Sequence, residues 1–79
     1  MKTIKVLGSG CAKCSKTAET IERIAAELNV AAEVIKETDP RVMMAYGVMS
    51  TPAVVVDGQL VHSGSIPHRS EIEHWLASA

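Results

Sequence analysis

Tyr46-Gly47-Val48-Met49-Ser50-Thr51-Pro52-Ala53-Val54-Val55-Val56-Asp57-Gly58 is the stretch on which the architecture turns. Gly47 suits the C-terminal cap of a helix ending near Tyr46. Met49 to Pro52 reads as a loop. Ala53 to Val56 is apolar and mostly β-branched, the pattern of a buried strand. Asp57-Gly58 is the strongest hairpin signal in the chain, because both residues tolerate the positive φ of a type I′ turn. Downstream, Gln59 to Ser63 becomes the partner strand and Gly64 to Pro67 a turn. His68 to about Ala77 forms a last helix with Ile72, Trp75 and Leu76 as its apolar stripe.

Upstream, Thr38-Asp39-Pro40 is a helix start, with Asp39 as N-cap and Pro40 at the first helical position. Ala32 to Glu37 reads as a short strand and Thr3 to Leu7 as the first one. Between them, Cys14, Ala18, Ile21, Ala25 and Leu28 recur at helical spacing and share one face, with Asn29 as the stop. The order is β-α-β-α-β-β-α in one domain spanning residues 1–79. The first two strands are parallel and the closing hairpin is antiparallel. The result is an α/β fold whose four-stranded mixed sheet is flanked by three helices.

Composition removes several functions. Eight Lys and Arg against nine Asp and Glu leave a formal charge of −1, which gives no electrostatic case for nucleic acid or an anionic membrane surface. There is no run of about 18 apolar residues to span a bilayer. Gly8-Ser9-Gly10 ends the first apolar stretch too early for a signal-peptide core, so a cytoplasmic location is expected. The same glycines lack the third glycine of a dinucleotide fingerprint, since Lys13 stands there. Ala12 stands where a Walker loop needs glycine. His62, His68 and His74 read as solvated surface residues, and Met43 and Met44 as core filler. Pro40 and Pro67 read as ordinary helix-start and turn prolines.

The chemistry lies in Cys11-Ala12-Lys13-Cys14, where the first strand gives way to the first helix. A bridge between cysteines this close removes little entropy from the unfolded chain, so the pair is a redox couple or a metal half-site rather than a staple. At a helix N-terminus, unpaired N–H groups and the macrodipole favour the Cys11 thiolate, and Lys13 adds a positive charge. Cys14, one turn further on the apolar stripe, is expected to be more buried. In the redox reading Cys11 attacks a target disulfide and Cys14 resolves the mixed disulfide.

With Cys11-Ala12-Lys13-Cys14, the Tyr46–Gly58 stretch and Gly64 in view, the chain resembles thioredoxin-like proteins over nearly its full length. It is most similar to the small redox-active disulfide group of trimmed, glutaredoxin-like thioredoxins. The resemblance implies a thioredoxin fold and a thiol–disulfide oxidoreductase, a protein-disulfide exchanger and electron carrier in cell redox homeostasis. It implies that Cys11 is the attacking and Cys14 the resolving cysteine, and that Pro52 is cis and faces them. Thr51 would pair its backbone with an extended substrate. Ala12 and Met49 would line the same groove, and Lys13 would tune the thiolate. The implied partners are disulfide-containing target proteins and an electron-donating reductase of the thioredoxin-reductase kind. Neither metal nor organic cofactor is expected beyond the Cys11–Cys14 disulfide itself, and the chain is expected to be a monomer.

Three departures from the family pattern stand out. Gly10 replaces the common Trp, Ala12-Lys13 replaces Gly-Pro, and the strand before the motif offers only Lys2 and Lys5 where larger members carry a buried carboxylate. Ser63-Gly64-Ser65 also lacks the Gly-Gly pair of a glutathione site. The rival reading is a small C-x-x-C carrier of Cu(I) or Zn, of the metallochaperone type. That fold would follow Ala32–Glu37 with a hairpin and end on a strand, whereas this chain has Asp39-Pro40 and a terminal helix.

Overall fold

A computed structural model describes residues 2–8 and 12–77. The elements are β1 (Lys2–Leu7), α1 (Ala12–Glu27), β2 (Ala32–Glu37), α2 (Pro40–Ala45), β3 (Ala53–Val56), β4 (Gln59–Ser63) and α3 (Arg69–Ala77). The sheet runs β2-β1-β3-β4. β1 is parallel to β2 and antiparallel to β3, and β3 is antiparallel to β4. A helix, α2, follows β2, and another, α3, follows the β3–β4 hairpin, as the thioredoxin-like reading expects and the metal-carrier reading does not.

Local chemistry accounts for the boundaries. Asp39 caps α2 by accepting from the Arg41 N–H at 2.9 Å, with Pro40 first in the helix. The Arg41 guanidinium and N–H beside it hold the Asp39 carboxyl below its ordinary range. Both α1 and α2 end in paired backbone bonds around a left-handed residue. In α1 the N–H groups of Asn29 and Val30 donate to the carbonyls of Ala26 and Ala25, with Asn29 at φ 60°. In α2 the N–H groups of Gly47 and Val48 donate to Met44 and Met43. At the hairpin, Asp57 and Gly58 have φ of 48° and 85°, both positive as a type I′ turn requires.

Side-chain alternation divides the core between the two sheet faces. Ile4, Val6 and Val54 meet Ala18, Ile21, Ile24 and Ala25 of α1 and Ile72 and Leu76 of α3. On the other face Leu7, Ala53 and Val55 pack against Val42 and Met43 of α2, with Tyr46 and Val48 beyond it. Thr17, fully buried on α1, is satisfied by donating its hydroxyl to the Lys13 carbonyl at 2.8 Å.

Two apolar residues depart from their expected places. Leu28 is 41% exposed, because α1 stops at Glu27 and Leu28 falls in the turn after it. Met44 is 77% exposed, on the side of the short α2 turned away from the sheet, while Met43 is partly buried and packs against the core.

Ile21 is completely buried between α1 and the sheet. Ile21→Ala is expected to cost about 2–5 kcal/mol in urea denaturation, whereas Met44→Ala should stay within about 0.5 kcal/mol. Similar costs for the two would contradict this division of the core.

Candidate functional site

The antiparallel register of β1 and β3 sets Leu7 opposite Ala53. The end of β1, from which the chain passes toward α1, therefore lies beside the start of β3, where the Thr51-Pro52 loop arrives. Gly8, directly after β1, donates its N–H to the Glu37 carbonyl at 3.0 Å and so stays in line with the sheet. Cys14 packs onto Gly8: a Cβ placed there would lie 3.0 Å from the Cys14 Cβ and collide with its sulfur. The same point is 3.8 Å from the Thr51 Cβ. Strand pairing thus gathers Cys14 and Thr51, which are distant in sequence, around one backbone atom.

Cys14 is 6% exposed, buried as its place on the apolar stripe demands, and it is disulfide-bonded. Cys11, with Ser9 and Gly10, lies outside the described residues. Ala12 and Lys13 are exposed at the start of α1. The Thr51–Pro52 peptide bond is cis, with Thr51 exposed and Pro52 buried. The Gly64 N–H donates to the Pro52 carbonyl at 3.0 Å, which ties the loop before β3 to the turn after β4. Met49 is 97% exposed, an apolar side chain standing free ahead of Thr51.

His62 is placed differently from its sequence reading. It is half-buried: Nε2 lies 2.9 Å from the Ser65 carbonyl, and Nδ1 lies 3.2 Å from Glu71 Oε2. The ring tilts against Trp75 with centroids 6.1 Å apart. The carbonyl can only accept, so Nε2 carries a proton. Nδ1 thus faces the buried Glu71 Oε2, which has no other hydrogen-bond partner. The pair joins β4 to α3 close to Gly64. A bulge in β4 gives His62 this place. Val55 pairs with Leu60 but Val54 pairs with His62, so Val61 is an extra residue that turns His62 toward α3.

Among the described residues no group of three His, Cys, Asp or Glu side chains could hold a metal ion. No helix of the described chain is long and apolar enough to cross a membrane. An open hollow of about 460 Å³ lies near Lys2, Asp57, His74 and Trp75, at the far end of β1. About 20 Å of extended strand separates it from Gly8, so it takes no part in cysteine chemistry.

A sheet of this order, with a buried cysteine on its first helix and Thr51 of a cis-proline loop meeting at Gly8, defines a thioredoxin-type site. A family model described as a thioredoxin domain matches residues 2–77. The chain is 38% identical over 78 residues to a thioredoxin of Methanocaldococcus jannaschii, covering 99% of this chain and 90% of that one. It is 29% identical over 77 residues to a thioredoxin of Methanothermobacter thermautotrophicus, covering 98% of this chain and all of the relative. The chain belongs to the thioredoxin family, and is a thiol–disulfide oxidoreductase.

His62→Ala removes the partner of a buried carboxylate oxygen and is expected to cost about 1–3 kcal/mol in urea denaturation. His68→Ala, at an exposed position, should cost under about 0.5 kcal/mol. Equal effects would show that the His62–Glu71 contact contributes nothing to stability.

Proposed function

We propose that the protein reduces or exchanges disulfides in other proteins through a Cys11–Cys14 dithiol/disulfide couple. One observation carries this reading: Cys14 is buried and disulfide-bonded against Gly8, with the cis-proline loop beside it. The thioredoxin relatives, matched across almost the whole chain, support it. In the forward reaction the Cys11 thiolate attacks a target disulfide, forming a mixed disulfide and releasing one target thiolate. The Cys14 thiolate then attacks the Cys11 sulfur and displaces the second target thiol. Two electrons pass from the protein dithiol to the target, and a reductase of the thioredoxin-reductase kind restores the dithiol.

Burial suits Cys14 to resolution, because a bulky target disulfide cannot reach it while an adjacent mixed disulfide can. Thr51, Ala12 and Met49, all exposed, would form the rim on which an extended target segment lies, with Pro52 as its floor. The exchange needs neither metal nor organic cofactor. We place the protein in the cytoplasm as a monomer. Nothing in the fold or the comparisons favours a metal carrier.

Insulin-disulfide reduction with dithiothreitol tests the reading. Wild-type protein is expected to accelerate it, Cys11→Ser to abolish the acceleration, and Cys14→Ser to trap target proteins covalently. Equal rates for wild type and Cys11→Ser would overturn it. For Lys13, exposed beside the couple, rapid alkylation across pH is expected to show a Cys11 pKa that rises in Lys13→Ala. An unmoved value would remove Lys13 from the site.

A further inference from the structure

Gly8 has no part in the exchange chemistry just described, yet it is the backbone on which Cys14 rests. It is buried, and its φ lies outside the left-handed region, so its backbone suits any L-residue. Flexibility is therefore not what requires glycine there. Space is: a Cβ would collide with the Cys14 sulfur and sit 3.0 Å from the Cys14 Cβ. The N–H bond to Glu37 keeps the Gly8 backbone in line with the sheet, and Cys14 is fixed within α1. Neither backbone can retreat without breaking sheet or helix hydrogen bonds, so a clash would fall on the sulfur.

We propose that Gly8 is a positioning residue that sets the redox equilibrium of the Cys14 couple by leaving the sulfur its seat. The proposal rests on the thiol–disulfide reading above. In the disulfide, the Cys14 sulfur is bonded on both sides and cannot swing away. In the dithiol it is free to rotate about χ1 into another staggered position. A methyl group at position 8 therefore penalises the disulfide more than the dithiol. A residue that merely supported the fold would penalise both forms alike and leave the equilibrium where it was.

The test is equilibration with a glutathione buffer. The protein disulfide takes up two electrons and two protons as two glutathione thiols become one glutathione disulfide. For Gly8→Ala the constant for this reaction is expected to rise about tenfold, equivalent to a potential about 30 mV less negative. A rise of less than threefold, or a fall, overturns the proposal. If Gly8→Ala does not fold, Gly8→Ala/Cys14→Ala is the deciding variant. Removing the sulfur removes the main collision, so the double variant is expected to fold, and its failure to do so overturns the proposal. Should the wild-type protein itself never equilibrate with glutathione or dithiothreitol, the functional reading fails and this proposal with it. Should wild type equilibrate normally and Gly8→Ala match it, only the role of Gly8 fails.

Discussion

The antiparallel pairing of β1 with β3, Leu7 opposite Ala53, is the constraint on which the site depends. It places the end of one central strand against the start of the other. The helix that follows the first strand then meets the loop that precedes the second. Both strands are held in the middle of the sheet, with buried Val6 and Val54 facing one pair of helices and Leu7 and Ala53 facing α2. A one-residue slip would turn every one of these side chains to the wrong face. Hydrophobic burial on two faces therefore fixes the register, and the register fixes which backbone Cys14 touches.

Much of this was legible in the sequence because local rules and tertiary packing agree. Asp39-Pro40 begins a helix, Asp57-Gly58 makes a hairpin turn, and Asn29 and Gly47 end helices, each for a reason confined to a few residues. Cys14 could be placed as buried because it falls on the stripe of Ala18 and Ile21. What was not legible depended on partners distant in the chain. Gly8 read only as the end of the first apolar stretch, since nothing local reveals that a sulfur six residues later will occupy the space beside it. His62 read as solvated together with His68 and His74, since nothing local reveals the bulge that sets it opposite Val54. Met44 read as core filler because a methionine near a helix end more often packs inward, but α2, only six residues long, covers the sheet with one side alone.

The loops around the site are braced from behind. Pro52 is tied through its carbonyl to Gly64, which follows directly on β4. Ser65, the next residue, is held by His62, and His62 faces Glu71 on α3. A short chain buries only about 60% of the surface its unfolded form exposes. Polar ties of this kind supplement a core too small to order every loop.

The extra residue in β4 also affects the rim of the sheet. β4 is an outer strand of five residues, Gln59 to Ser63, with no lysine, arginine, aspartate or glutamate and with Leu60 and Val61 partly exposed. Such a border ordinarily invites a neighbouring polypeptide to extend the ladder. Val61 interrupts the spacing of the outward amides and carbonyls, so a foreign strand entering alongside would fall out of step halfway. The same irregularity that half-buries an imidazole thus guards a margin without lysine or glutamate against unwanted association.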